Sequence, residues 1–128
     1  MDLALLDTTQ KAEDGVKMEL RHPVTNEGLG VFLTVRGPDS KAVKSAFARF
    51  RKIMDDDKKS ENEKEKEASN LLMRCIVEIE DAVYQGKPIE SDADGIRFFI
   101  EHFQWAASQI FEFINEIDNF LPSSGSAS

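Results

Sequence analysis

Val16, Met18 and Leu20 alternate with Lys17, Glu19 and Arg21. Leu29, Val31, Leu33 and Val35 alternate in the same way, with Phe32 and Thr34 on the other side. A period of two sends successive side chains to opposite faces of an extended chain, so both runs predict strands with one buried face. Between them, "HPVTNEG" supplies Pro23, Asn26 and Gly28, which favour turns for different steric reasons. The pair therefore predicts a β-hairpin with a longer loop. A lone hairpin is marginal in water, so helices must cover one of its faces. The expected fold class follows: α+β, an N-terminal β-hairpin packed against a small cluster of about four α-helices.

The helices are read from apolar spacing. "GPDSKAVKSAFARFRKIM" predicts a helix stopped and capped by Pro38, Asp39 and Ser40, with Val43, Ala46, Phe47, Phe50 and Met54 on one stripe. The polar stretch 55–67 is expected to be an exposed charged connection that turns helical after Ser60. Ala68, Leu71, Leu72, Cys75, Ile76, Ile79, Ala82 and Val83 then trace one apolar stripe, which predicts a helix ending at Gly86, with Pro88 just beyond. A short helix holding Ile96, Phe99, Ile100 and Phe103 follows, capped by Ser91 or Asp92. A last helix is expected over Trp105 to Leu121.

A chain of 128 residues reads as one domain, here 1–121, followed by a flexible tail at 122–128. It is long enough to bury about two-thirds of its extended surface without metal or disulfide staples. The net charge of −8 and a pI near 4.8 argue against wrapping nucleic acid, because phosphate is repelled overall. The N-terminal apolar run is too short for a signal peptide, and no window approaches a membrane span.

Candidate chemistry is sparse. The two histidines, His22 and His102, and the single Cys75 lie far apart with no second ligand at metal spacing, so no metal and no cofactor are expected. Cys75 falls mid-stripe and reads as a buried, inert thiol. The glycines form no phosphate cradle, and the acidic runs "DDD" and "ESDAD" look solvated rather than paired in a pocket. Asp92 and Asp94 echo a calcium loop, but Phe103 stands where its twelfth-position glutamate belongs. No catalytic constellation emerges, and the chain is not expected to be an enzyme.

Two surfaces remain. Lys41, Lys44, Arg49, Arg51 and Lys52 form a basic face with no acid among them. They read as a solvated face, as a contact for an acidic patch on another copy, or as the backbone-binding side of a small nucleic-acid-associated regulator. In the C-terminal third, Ala106, Ile110, Phe113, Ile114, Ile117, Phe120 and Leu121 share one helical face that suits packing on the Leu71–Val83 stripe. Phe98, Trp105 and Phe111 fall off the apolar stripes. They are expected either as a contact surface for a partner or as a layer covered by another element such as "LALL" at 3–6.

The order of these elements resembles the tail assembly chaperone family of long-tailed (siphovirus) bacteriophages. The resemblance rests on His22, Pro23, Thr25, Glu27, Leu29 and Gly30 in the hairpin loop, and on Gly37, Asp39 and Ser40 at the first helix start. It continues through Gly86, Pro88 and Ile89 to a closing helix with Gln109, Ile110, Phe113, Ile114, Glu116, Asn119, Phe120 and Leu121. The charged 55–67 stretch has no counterpart in that pattern, and a proline expected ahead of the last helix is missing. The resemblance implies a non-structural protein of the bacterial host cytoplasm that binds the tape measure protein and keeps it soluble. It further implies help in recruiting tail tube protein, self-association, and a short form of a frameshift pair whose longer product carries an added domain after "PSSGSAS". The rival reading is the nucleic-acid-associated regulator using helix 41–52.

Overall fold

The expected hairpin lies at the centre of a computed structural model that describes residues 1–122. β1 (Val16–Arg21) and β2 (Gly28–Val35) pair antiparallel, Val16 opposite Val35 and Met18 opposite Leu33. The alternation buries Met18, Leu20, Leu33 and Val35 together. His22 organises the loop: its Nδ1 accepts the main-chain N–H groups of Val24 and Thr25 at 3.1 and 3.2 Å. Pairing is irregular between Glu19 and Arg21, where β2 carries extra residues and Gly30 takes a φ of 72°. That bulge breaks the alternation, so Leu29 is exposed instead of sharing the buried face.

A third strand, β3 (Ile76–Glu80), pairs antiparallel with the free side of β2, giving the order β1-β2-β3. It replaces the second half of the helix expected over Ala68–Val83. α3 (Glu61–Cys75) begins at Ser60, whose hydroxyl accepts the Glu63 N–H, and ends at Cys75. The register shift lies between Thr34 and Val35, which face Glu78 and Ile76, so Val77 is the extra residue. Ile76 and Ile79 thus both reach the buried side although they are three apart. A spacing of three also suits a helix, so the apolar pattern alone could not separate the two. The β-branched trio Ile76, Val77 and Ile79, offered an open edge of β2, decides for strand.

β4 (Val83–Tyr84) and β5 (Lys87–Pro88) form a minimal hairpin around Gln85 and Gly86, whose φ values are 50° and 80°. Gly86 is a hairpin turn residue and not a helix cap. Val83, expected in the core, is 63% exposed.

α1 (Thr9–Asp14) follows a single 3-10 turn at Leu3–Leu6. α2 (Lys41–Met54) starts where expected, with the Ser40 hydroxyl accepting the Val43 N–H. The charged connection is confined to 55–60, since 61–67 is the first half of α3 and Glu67 is buried. α4 (Ala93–His102) is capped by Asp92, and α5 (Ala106–Asn115) follows. α2 packs on α3, α3 on α4, and α5 chiefly against β1. Leu71, Leu72, Cys75, Ile96, Phe99, Ile100, Ile110 and Ile114 close over the buried face of the sheet.

The last helix is shorter than expected. It stops at Asn115, Glu116 turns extended with ψ 99°, and a 3-10 turn spans Ile117–Phe120. The Asn119 side-chain amide donates to the Phe113 carbonyl at 2.8 Å and holds the break. The change of direction buries Phe120, while Ile117, assigned to the core face by the helical wheel, is 67% exposed. Apart from Pro122, the expected tail at 122–128 lies outside the described residues.

Candidate functional site

Gly95 lets the start of α4 sit against the preceding chain: a Cβ there would lie 2.0 Å from the Glu90 carbonyl oxygen. The Asp92 carboxylate accepts the Gly95 N–H at 2.8 Å and fixes the same junction. From this anchored end, α4 turns Phe98 and His102 outward, one helical turn apart. Their rings stack with centroids 3.9 Å apart at 26°. Tyr84, on the β4–β5 hairpin, meets Phe98 edge-on at 5.0 Å and Phe103 at 6.1 Å. Phe103 in turn meets Trp105 edge-on at 6.4 Å. The result is a continuous chain of rings from Trp105 through Phe103, Tyr84 and Phe98 to His102.

Phe98, Phe103 and Trp105 are half-buried, and Tyr84 at the centre of the chain is 38% exposed. Beside it, a cleft of about 430 Å³ is lined by the apolar Tyr84, Pro88, Ile89 and Phe98 and by the charged Glu90, Asp92 and Asp94, with Lys87 as the one cation among them. Phe98 and Trp105 therefore belong to one surface. Phe111 does not join them: it is half-buried on α5 and packs partly against the core, as Trp105 also does. The candidate cover at 3–6 leaves Leu3, Leu5 and Leu6 exposed, so its leucines bury little against any ring. Tyr84 is not among the residues expected at a contact surface, because Gly86 and Pro88 after it suit a helix stop. The signal was there, since Gln-Gly between Val-Tyr and Lys-Pro is also a two-residue hairpin turn.

All five cations of the basic face, Lys41, Lys44, Arg49, Arg51 and Lys52, are exposed on α2. Two of them have internal partners. Arg49 Nε lies 3.0 Å from Glu67 Oε1, and the Arg51 guanidinium lies 5.9 Å from the Phe47 ring centroid.

The remaining chemistry is quiet. Cys75 is fully buried, and burial pushes its thiol up to about 12, with only partial relief from Arg36. Such a thiol carries almost no thiolate at neutral pH. Among the described residues, no group of three or more His, Cys, Asp or Glu is placed to hold a metal ion, and no helix is long and apolar enough to cross a membrane. No protein-family model matches the chain, and neither curated proteins nor solved structures match it.

Proposed function

We propose that this protein is a tail assembly chaperone of a long-tailed bacteriophage, acting in the bacterial cytoplasm to hold a tape measure protein soluble before the tail tube encloses it. The observation that carries this reading is the ring chain around Tyr84, half-exposed and flanked by carboxylates. A tape measure protein is a long helical client with apolar stripes between charged residues. Aromatic rings take up such stripes with little loss of side-chain entropy, and neighbouring carboxylates suit the lysines and arginines beside them. Each contact is weak, and binding gains strength as many copies occupy one elongated client. The net charge of −8 keeps the loaded complex soluble. Recruitment of tail tube protein is assigned to a longer frameshifted form, and the chemistry proposed for the short form is binding without catalysis.

The test is co-expression with a tape measure protein encoded beside it. The wild-type chain is expected to move the client from the pellet to the soluble fraction. Tyr84→Ser with Phe98→Ser is expected to return most of it to the pellet while circular dichroism stays unchanged. A client that is equally soluble with the double variant, or without any partner, overturns the proposal.

A further inference from the structure

The sheet ends in β1, and one position of that edge is already filled by an amide. Gln109 on α5 bonds both main-chain polar atoms of Arg21, at 2.9 and 2.8 Å. The next residue pairs the other way, inward, since the His22 N–H donates to the Glu27 carbonyl at 2.8 Å. Met18 and Leu20 are buried while Lys17, Glu19 and Arg21 face water at least in part, so β1 alternates without a break. Main-chain groups of a strand repeat every two residues, and Lys17 and Glu19 therefore turn their N–H and C=O outward on the same side as Arg21. Among the described residues, no hydrogen bond reaches these outward groups.

Beside them lies a groove of about 730 Å³ between β1 and α5, lined on the α5 side by Glu112, Phe113 and Glu116. The charges that β1 brings to it are already engaged. Lys17 Nζ lies 3.1 Å from Glu80, Arg21 Nη1 donates to the Asn26 carbonyl at 3.1 Å, and Glu19 Oε2 accepts the Gly30 N–H at 3.0 Å. Glu112 and Glu116 are exposed, and their carboxylates enter no ion pair among the described residues. The charge left over in the groove is therefore negative. One helical turn, about 5–6 Å, separates the two glutamates, close to the roughly 6–7 Å between residues i and i+2 of an extended chain.

We infer that this groove binds an extended basic segment of a partner protein, which joins the sheet as a further strand along β1. Its main chain pairs with Lys17 and Glu19 beyond the position that the Gln109 amide fills. Lysines or arginines at alternate positions lay their stems on Phe113 and bring their charges to Glu112 and Glu116. A second copy is the poorer occupant, because pairing through the same edge would bring its own Glu112 and Glu116 into the groove, and like charges oppose that. Nucleic acid is repelled by the same carboxylates. The inference stands independently of the helical client, since it uses neither the ring chain around Tyr84 nor the cleft beside it.

Fluorescence anisotropy of the full chain tests it, with a labelled, end-blocked peptide of about seven residues that alternates Lys and Val. A Kd of about 10–100 μM is expected. Two further peptides, one N-methylated at every Lys and one at every Val, each lose the main-chain donors along one edge only. One of the pair should bind more than about tenfold more weakly and the other nearly as well as the parent, because only one edge faces β1. Glu112→Lys with Glu116→Lys should also weaken the parent peptide by more than about tenfold, with circular dichroism confirming the fold. In the wild-type chain, the Lys17 and Glu19 amides should exchange with solvent more slowly once the peptide is bound. No binding of the parent peptide, equal binding of the two methylated peptides, or binding that survives the charge reversal overturns the inference. So does a peptide displaced as the protein concentration rises, which marks a second copy in the groove.

Discussion

The Gln109 side chain grips both main-chain polar atoms of Arg21: its Oε1 accepts the N–H at 2.9 Å and its Nε2 donates to the carbonyl at 2.8 Å. The amide takes the place that one residue of a neighbouring strand would occupy on the open edge of β1. Ser91 does the same at the opposite edge, accepting the Ile79 N–H at 2.9 Å and donating to its carbonyl at 3.1 Å. Both edges of the three-stranded sheet are thereby blunted by side chains, and an unblunted edge is a template for pairing with another chain. Gln109→Leu is expected to lower stability by about 1–2 kcal/mol, or roughly 3–8 °C in Tm. Thermal denaturation and light scattering check this, with faster aggregation expected in the variant.

Arg49 and Glu67 tie α2 to α3, and the two ends are unequal, since the Arg49 side chain is 71% exposed and that of Glu67 only 10%. Removing the arginine leaves a carboxylate in a poorly solvated position, whereas Glu67→Gln removes the charge that needs compensating. Arg49→Ala should therefore cost more, about 1–3 kcal/mol, than Glu67→Gln, at about 1 kcal/mol or less. Urea denaturation of both variants gives the order. The reverse order would mean that the pair matters through the packing of Glu67.

Cys75 makes alkaline stability depend on one thiol. Its ordinary value is 9.0 and burial raises it to about 12 in the folded protein. Above pH 9 the unfolded chain releases this proton and the folded chain keeps it, so stability falls as pH rises from about 9 towards 12. The slope approaches roughly 1 kcal/mol per pH unit. Cys75→Ala should remove that component of the slope at the cost of a small cavity, read from denaturation at a series of alkaline pH values. The native thiol should also react with a thiol reagent only as fast as the protein opens.

Gly95 is required by space and not by backbone conformation. A methyl group there meets the Glu90 carbonyl, which is main chain and cannot swing aside. Gly95→Ala is expected to lose about 1–3 kcal/mol and to disturb the ring chain that α4 carries. Trp105, the only tryptophan, reports that disturbance through a shift in its fluorescence.

Val83 and Tyr84 separate binding from folding better than Trp105 or Phe111, which also pack on the core. Val83→Ser with Tyr84→Ser should change stability by about 1 kcal/mol or less while reducing client binding. Trp105→Ala is expected to lose several kcal/mol of folding stability along with binding, so its loss of binding alone is uninformative. Denaturation and client solubility, measured on the same preparations, distinguish the two variants.

The sequence by itself determined whatever depends on near neighbours. The alternation of Val16–Leu20 and Leu33–Val35 specifies strands with one buried side, and Ser40 and Asp92 mark helix starts, because caps and pleats are set within a few residues. The basic face on α2 and the inert Cys75 were legible for the same reason. Tertiary structure decided the rest. Ile76 and Ile79 sit three apart, a spacing shared by a helix and a bulged strand, and only the free edge of β2 selects the strand. Ile117 left the core because Asn119 holds a break that no wheel anticipates. Tyr84 met Phe98 because that choice of strand turned "YQGKP" into a hairpin. An apolar pattern records which residues avoid water, but which face avoids it depends on the partner they find.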